Sequence, residues 1–299
     1  MELVKARKFT YALSLVLILA SVISLWLYGL KLGIDFTGGS LLEVEFSPVA
    51  AGRPEISVLQ EKINTLNLGA VLVQPTGERG FLLRTRDLSD EEHRKLLDAL
   101  SLLGEFQELR FDSIGPTIGK ELRERSVWAT ILVLAAIILY IAFAFRKVSR
   151  PVSSWFYGLF AVVALFHDIF IPLGLFSALG HFKGVEIDTL FVTAILTVLG
   201  FSVHDTIVVF DRVRENLKKQ TKPESFEETV GRSLSQTLVR SINTSLTVLI
   251  VLAALYFLGA TSTKYFALTL IVGIIAGTYS SIFIASPLLV TWNNFRGRK

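Results

Sequence analysis

Six long apolar stretches constrain the fold of this chain more than any other feature of its sequence. They cover residues 9–30, 127–145, 152–179, 189–210, 237–258 and 265–292. A helix needs about 20 apolar residues to cross the hydrocarbon core of a bilayer. Over the 299 residues, 52% are hydrophobic and only 19% are charged, a composition that soluble domains rarely have. The sequence therefore predicts a polytopic α-helical membrane protein with six transmembrane helices.

Basic residues collect at one set of loops and set the expected orientation. They occur in the N-terminal segment 1–30, in a connector at 211–236 and in the C-terminal tail 293–299. Because basic loops stay in the cytoplasm, we expect both termini to be cytoplasmic, with five spans within 126–292. The first span is too long for a cleavable signal and should remain as an anchor. Since the basic residues flank the apolar stretches, the net charge of +4 indicates no nucleic-acid partner.

A polar insert at residues 31–125 should lie on the far side of the membrane. LLEVEF alternates as a strand does, and PEISVLQEKINTLN has the character of a helix. Two strands joined by a turn follow, and then comes a helix that Ser89 is placed to cap, and a last strand. The order βαββαβ predicts one α+β ferredoxin-like extracytoplasmic domain. That fold by itself implies no chemistry.

Two glycine-rich segments, GIDFTGGS and GPTIGKEL, connect this insert to the first and second spans. They lack the lysine and spacing of a phosphate-binding loop, so we interpret them as hinges or turns. Gly38 and Gly39 suit a turn with positive φ, which Asp35 can stabilise. The residues assigned to the two segments are Gly33, Asp35, Phe36, Thr37, Gly38 and Gly39 in the first, and Gly115, Pro116 and Gly119 in the second.

Asp205 is the residue that most strongly indicates function, because a carboxylate within an apolar span is costly and is usually kept for a task such as proton or ion relay. It lies about 8 Å inside the expected cytoplasmic end of the fourth span. Arg240 lies at a matching depth in the fifth span, so the two side chains are candidates for an ion pair that protonation of Asp205 would weaken. The alternative is static: both charges reach the interface or hold helices together.

Histidine stands beside aspartate in two spans. His204 precedes Asp205 and is a candidate proton relay, although a packing role is equally compatible with its position. His167 and Asp168 repeat the pattern in the third span. Counted from residue 152, Asp168 lies about 24 Å from the cytoplasmic interface, which predicts that it occupies the opposite half of the membrane. It is placed either to accept protons from the far side or to hydrogen-bond a neighbouring helix.

Small and hydroxylated residues recur at helical spacing around these charges. The fourth span has Thr193, Thr197 and Gly200, the fifth has Thr244 and Thr247, and the sixth has a GxxxG at Gly273 and Gly277. Such faces are typical of close helix packing, while a hydrated passage is the alternative. The chain has no cysteine, and no metal-ligand spacing or serine triad is visible, so we expect no metal, no cofactor and no enzymatic activity.

The same segments resemble a known family. The segments are GIDFTGGS after the first span, GPTIGKEL before the second, ALFHDIFIPLG in the third, GFSVHDTIVVFDRVREN in the fourth and SLSQTLVRSINTSL leading into the fifth. In this order they resemble the SecD/SecF family of protein-export membrane proteins. The resemblance covers nearly the whole chain. It implies a relationship to the resistance-nodulation-division transporters and a place in the bacterial inner membrane. It also carries the family's intramembrane acid to Asp205 and its basic residue to Arg240. Many members have asparagine where this chain has His204.

The resemblance implies an accessory subunit of protein export that pairs with SecD. The two would use the proton-motive force to assist late, ATP-independent passage of an unfolded protein through the SecYEG channel. Since six spans form half of a related transporter, SecD would supply the other half, and membrane lipids would surround both. Two alternatives remain: a half-transporter that exports a small molecule or lipid by proton antiport, and a passive assembly factor for SecD.

Overall fold

The computed structural model describes residues 4, 6–47, 54–144, 152–220 and 224–296. The last three residues of the predicted tail and residues 221–223 of the predicted connector lie outside the described residues. The chain divides into two compact units, one of Met1–Lys31 with Trp128–Lys299 and the other of Leu32–Val127.

Ten α-helices and four strands are present in the described residues. In chain order they are α1 (Arg7–Tyr28), α2 (Ile34–Thr37), β1 (Gly39–Phe46), α3 (Ile56–Asn64), β2 (Leu72–Thr76), β3 (Gly80–Thr85), α4 (Asp90–Ser101), β4 (Phe106–Ile114), α5 (Pro116–Ala144), α6 (Ser154–Lys183), α7 (Thr189–Lys218), α8 (Phe226–Leu258), α9 (Thr261–Ser280) and α10 (Ser286–Arg296), with a π-helical turn at Ser281–Ala285 between the last two.

The smaller unit is a two-layer α/β sandwich. Its strands lie in the order β2-β3-β1-β4, and every neighbouring pair is antiparallel. On β1, Leu42 and Val44 pair with Leu83 and Phe81 of β3, and their side chains are buried with Leu59 of α3 and other apolar residues of both helices. This alternation arises because successive residues of a strand point to opposite faces. The predicted ferredoxin-like βαββαβ arrangement is therefore confirmed.

The larger unit contains six helical segments that are long and apolar enough to cross a membrane. They differ in how much of each is covered by protein. Among the apolar windows of these segments, the third, fourth and sixth are 56%, 50% and 61% buried, whereas the first, second and fifth are only 17%, 6% and 17% buried. The helices α6, α7 and α9–α10 therefore form the core of the bundle. The predicted fold class, six spans with one α+β sandwich, is confirmed.

Several helices extend past the predicted spans. The segment GPTIGKEL is not a turn: Pro116 opens α5, since proline suits the first helical position, where no N–H is needed. Its proposed role as a hinge stays a prediction. α7 continues to Lys218 and α8 begins at Phe226, so most of the connector predicted at 211–236 is helical. Ser225 caps α8 through a capping box with Glu228.

The sixth span is interrupted where the sequence places Pro287. A proline has no N–H to donate to the carbonyl four residues earlier, and its ring crowds that carbonyl. The carbonyl in question belongs to Phe283, and it accepts a hydrogen bond from Thr10 Oγ1 at 3.3 Å. The five residues before α10 adopt a π-helical turn, a feature found frequently at functional sites. The helix type therefore changes in the turn that directly precedes Pro287.

Glycines allow the core helices to approach closely. A Cβ atom added to Gly273 of α9 would lie 2.3 Å from Val198 Cγ2 of α7, and one added to Gly277 would lie 3.0 Å from Ser202 Cβ. On α6, a Cβ at Gly174 would lie 2.3 Å from Ser21 Cβ of α1. Close packing of the GxxxG face is therefore confirmed.

Candidate functional site

Asp205 lies in the core of the bundle and is held by two serine hydroxyls. Its side chain is only 7% exposed. Ser241 of α8 donates to Oδ1 at 2.5 Å, and Ser281 of the π-helical turn donates to Oδ2 at 2.5 Å. One carboxylate thus connects three membrane-spanning segments. A buried carboxylate that is fully hydrogen-bonded can remain charged at a tolerable cost.

Asp168 forms a second buried carboxylate cluster beside the first. It is completely buried, and its Oδ1 lies 2.8 Å from Nδ1 of the buried His167. Its Oδ2 accepts hydrogen bonds from Ser202 of α7 at 2.5 Å and from Ser280 of α9 at 2.7 Å. Of the two predicted alternatives for Asp168, hydrogen bonding to neighbouring helices is present, and a part in proton transfer stays a prediction.

The two carboxylates share one layer of the bundle, and the prediction that they occupy opposite halves of the membrane is wrong. Ser202, which binds Asp168, lies one turn before Asp205, so about 4.5 Å along α7. Ser280 binds Asp168 while the next residue, Ser281, binds Asp205. The depth estimate failed because it ended the fourth span at residue 210, whereas α7 runs as one helix to Lys218.

The predicted ion pair between Asp205 and Arg240 is absent from the described residues. Arg240 is an exposed residue of α8, and no described carboxylate lies within ion-pair distance of it. Its neighbour Ser241 takes the place facing Asp205. Arg240 instead lines a cleft of about 540 Å³ together with Gln236, Asp211 and seven other residues. The rotation of 100° between successive helical residues explains why Arg240 and Ser241 face different surroundings.

His204 is also on the outer surface of the unit. The polar residues predicted to surround the charges are exposed on both helices: Thr193, Thr197, Gly200 and His204 on α7, and Arg240, Thr244 and Thr247 on α8. We call these seven residues the outer polar face. Thr193 and Thr197 each donate to the carbonyl four residues earlier, at 2.9 and 2.8 Å. The side chains of His204 and Arg240 make no hydrogen bond to the residues that the structure describes.

The glycine-rich segments come together in the smaller unit. Ile34–Thr37 form the single turn α2, with Asp35 in that turn and Phe36 buried. Gly38 and Gly39 have φ values of 75° and 120°, so the positive φ predicted for them is confirmed. A Cβ at Gly38 would lie 2.8 Å from Pro116 Cα, and one at Gly119 would lie 2.7 Å from the Gly38 nitrogen. The backbones of the two segments therefore touch within this unit, where a larger residue cannot fit.

Sequence reasoning missed the serines that hold both carboxylates. Ser202, Ser241, Ser280 and Ser281 are all buried, yet serine is common enough in membrane helices that none stood out. Two signals existed. Ser280 and Ser281 form a hydroxyl pair within an apolar run six residues before Pro287, and Ser241 repeats at Ser245 one turn later. A second connection, between Ser245 and Thr278 at 2.5 Å, follows the same α8 face.

Comparison with known proteins shows the family of the chain. Residues 95–295 match the family described as protein export membrane protein SecD/SecF, C-terminal, and residues 23–48 match the SecD/SecF GG motif. The chain is 48% identical to the protein translocase subunit SecF of Thermobaculum terrenum over 302 aligned positions, covering 98% of this chain and 94% of that protein. It is 42% identical to the subunit of the same name from Anaerolinea thermophila, covering 96% and 92%.

A solved structure extends the likeness to three dimensions. The crystal structure of SecDF, a translocon-associated membrane protein from Thermus thermophilus, superposes with a TM-score of 0.83 at 33% identity. The match covers 98% of this chain and 39% of that longer one. Since the family match spans most of the sequence and the similarity to SecF proteins is nearly full-length, the chain belongs to the SecD/SecF family of protein-export membrane proteins.

Proposed function

We propose that this chain is an accessory subunit of the Sec protein-export machinery, which acts with SecD and uses the proton-motive force to assist late, ATP-independent translocation through SecYEG. It would be a multi-pass protein of the bacterial inner membrane with both termini in the cytoplasm and residues 31–125 outside it. Similarity to SecF proteins and to a SecDF structure supports the protein-export role and the partnership with SecD. Proton coupling rests on the buried site.

The observation that carries proton coupling is the position of Asp205 between three membrane-spanning segments. When it is charged, its two oxygens accept the hydroxyls of Ser241 and Ser281. A proton on either oxygen converts that oxygen from an acceptor into a donor, so the serine on that side must turn its own hydroxyl away. Proton binding therefore changes how α7 is attached to α8 and to the sixth span, which is a direct route from protonation to helix movement.

The outer polar face supports a second half of the membrane domain. In hydrocarbon, an arginine and a histidine without hydrogen-bond partners are strongly unfavourable, and both His204 and Arg240 are exposed in this chain alone. SecD would cover this face and supply polar partners, including an acid for Arg240. The glycine-rich segments Gly33–Gly39 and Gly115–Gly119 would then pass the helix movement to the exported domain, which would act on the emerging unfolded protein.

The proton gradient can supply the free energy that movement of the exported domain requires. One elementary charge that crosses 100 mV releases about 2.3 kcal/mol. Several protons per cycle would therefore supply enough free energy to move a domain or to bias the sliding of an unfolded chain.

The test is secretion in a cell whose own copy of this subunit is depleted. Asp205→Asn keeps the shape of the side chain and its capacity for hydrogen bonds but removes titration, so we expect secretion to fall to the level of depleted cells. Ser177→Ala is the matched control, because Ser177 is a buried serine of α6 that donates to the Ser24 carbonyl at 2.8 Å, away from Asp205. Co-purification with SecD must be unchanged in both variants.

Two outcomes would contradict the proposal. Normal secretion by Asp205→Asn with an intact SecD complex would show that the chain is a passive assembly factor. Normal secretion combined with loss of efflux of a labelled small molecule or lipid would show a half-transporter instead.

A further inference from the structure

The His167–Asp168 pair is a buried ionisable group that the mechanism above does not use. We propose that it is a second proton-binding site, in which His167 Nε2 takes up the proton, and that the consecutive hydroxyls of Ser280 and Ser281 couple it to Asp205. The existence of this site is independent of the proposed function, and only its contribution to protein export rests on that function.

Asp168 is surrounded by donors and serves as the fixed negative charge of the pair. Its Oδ1 lies 2.8 Å from His167 Nδ1, and its Oδ2 accepts from both Ser202 and Ser280. Hydrogen bonds donated to a carboxylate favour its charged form. The carboxylate in turn fixes the ring of His167, because Nδ1 must carry a hydrogen to donate to it.

The other ring nitrogen of His167 is then the atom that can change state. His167 is 1% exposed, and its Nε2 has no hydrogen-bond partner among the described residues. A buried polar atom without a partner is rare and calls for a specific explanation. Uptake of a proton forms an N–H bond at Nε2, and the positive charge on the ring is balanced by Asp168. The pair thereby changes from a net charge of −1 to zero, which an apolar bundle favours.

Few other titratable groups face this pair from the helices packed against it. On α9, Tyr279 stacks on the His167 ring, with centroids 5.9 Å apart, and its hydroxyl donates to the Thr10 carbonyl of α1. α1 has no Asp, Glu, His, Lys or Arg between residues 9 and 28. The other titratable residues of these packed helices are Arg7, Lys8, Tyr11 and Tyr28 of α1, Tyr157, His181 and Lys183 of α6, His204, Asp205, Asp211, Arg212, Arg214, Glu215 and Lys218 of α7, Lys264 and Tyr265 of α9, and Arg296 of α10. Of these acids, Asp205 is the one that lies in the same layer of the bundle as the His167–Asp168 pair.

Two neighbouring serine hydroxyls connect the His167–Asp168 pair to Asp205, and each hydroxyl has two acceptors within hydrogen-bond distance. Ser280 Oγ lies 2.7 Å from Asp168 Oδ2 and 3.1 Å from the Gly277 carbonyl. Ser281 Oγ lies 2.5 Å from Asp205 Oδ2 and 3.0 Å from the Thr278 carbonyl. Because a hydroxyl has one hydrogen, it donates to the carboxylate or to its own helix, not to both fully.

These two serines stand where α9 becomes π-helical. Rotation of either hydroxyl alters the bonding of the same turn of backbone, so a change of charge at the His167–Asp168 pair or at Asp205 changes the hydroxyl donor available to the other site. The π-helical turn thus gives the two sites a shared structural element, and the protons bind with mutual influence rather than independently.

The experiment is nitrogen NMR of the full chain in complex with its SecD partner in lipid, with ¹⁵N in the histidine rings. The chain has four histidines, and His→Gln variants at His93, His167, His181 and His204 assign the signals. We expect Nδ1 of His167 to stay protonated while Nε2 gains a proton as the pH falls from about 8 to 5, the range in which histidine titrates. Asp168→Asn should abolish that pattern.

Coupling is tested with Asp205→Asn and Ser281→Ala, each of which should move the midpoint of the His167 titration. Ser177→Ala should leave it in place, which controls for general loosening of the bundle. An Nε2 signal that is constant across this pH range, or a change at Nδ1 in its place, would overturn the second site. A midpoint that is the same in wild type, Asp205→Asn and Ser281→Ala would overturn the coupling.

These results separate the two proposals. If His167 titrates while Asp205→Asn secretes normally, the proposed function fails and the second site stands. If His167 does not titrate while Asp205→Asn blocks secretion, the second site fails and the proposed function stands.

Discussion

At the scale of single residues, the contrast between serine and arginine around Asp205 explains what this acid can do. An arginine partner would stabilise only the charged form of the acid. A serine hydroxyl can donate to a carboxylate and can also accept from a protonated carboxyl. Ser241 and Ser281 therefore satisfy Asp205 in both states. No basic side chain of the described residues pairs with Asp205, so none favours its charged form over its neutral form.

Gly273 offers a residue-scale test of the packing beneath this site. In Gly273→Ala the new Cβ would lie 2.3 Å from Val198 Cγ2, and overpacking of this kind costs about 1–3 kcal/mol. We expect a lower midpoint of thermal unfolding in detergent. Gly200→Ala is the control, because its Cβ meets no atom within 4 Å and alanine suits a helix better than glycine. Equal stability of the two variants would refute the packing argument.

Glu92 gives a pH-dependent prediction in the smaller unit. Its hydrogen bond with Arg86, and then the Ser89 backbone N–H, lower the pKa of Glu92 to about 2. An acid with a lowered pKa in the folded state adds stability above its ordinary pKa, which is near 4.5, and loses it as the pH falls towards 2. Glu92→Gln should therefore be less stable than wild type at pH 7, with a difference that shrinks below pH 4.5.

Circular dichroism of thermal unfolding between pH 7 and pH 3 measures this difference. Glu91→Gln is the control for a change of charge in the same turn, because Glu91 takes no part in the capping box and, among the residues that the structure describes, forms an ion pair with Lys95 alone. A difference in stability between Glu92→Gln and wild type that stays constant down to pH 3 would contradict the lowered pKa of Glu92.

At the scale of elements, the sequence predicted the helices and strands but not the rotation of the helices. Apolar length and the alternation along LLEVEF are local properties, so the spans and the βαββαβ order could be read directly. Which side of α8 faces Asp205 depends on packing against distant helices. The predicted polar face with Arg240, Thr244 and Thr247 is exposed, while the buried face carries Ser241 and Ser245, one residue and 100° away.

Disruption of the π-helical turn at Ser281–Ala285 should lower secretion without lowering the stability of the chain. Pro287→Ala restores an N–H opposite the Phe283 carbonyl, removes an unfavourable helix residue worth about 3 kcal/mol, and favours a regular α-helix. The chain should fold at least as stably as wild type. We expect secretion to fall, because a regular helix would rotate Ser281 away from Asp205.

Thermal unfolding and secretion measured on the same Pro287→Ala preparations test this point. Pro172→Ala, which changes the other proline inside a span, is the comparison for a proline outside the turn. Wild-type secretion by Pro287→Ala would show that the π-helical geometry is not needed.

At the scale of the whole molecule, the larger unit exposes a polar surface that we propose SecD covers. Its core helices bury two carboxylate clusters, yet α7 and α8 expose the outer polar face. A lipid surface would leave His204 and Arg240 unsatisfied. For these polar residues the sequence predicted close helix packing or a hydrated passage, but the sequence does not show which neighbouring helix or chain they face.

Labelling can test what covers this face, because the chain has no cysteine of its own. A spin label at Thr197→Cys should be accessible to lipid-dissolved oxygen in the chain alone and protected when SecD is bound, because the well-packed core of a protein interface excludes lipid. Leu139→Cys is the control, since Leu139 is 71% exposed on α5 in a part of the helix, residues 131–139, that is apolar throughout. Unchanged access at Thr197→Cys in the complex would show that SecD binds elsewhere.

The central claim is that the Asp205 carboxylate binds and releases protons as part of energy conversion. Its most direct test is proton entry into liposomes that contain the complex with SecD, followed with an internal pH dye after a membrane potential is imposed. We expect the wild type and Ser177→Ala to admit protons and Asp205→Asn to show only the leak of protein-free liposomes. Proton entry by Asp205→Asn at the wild-type rate would contradict the account.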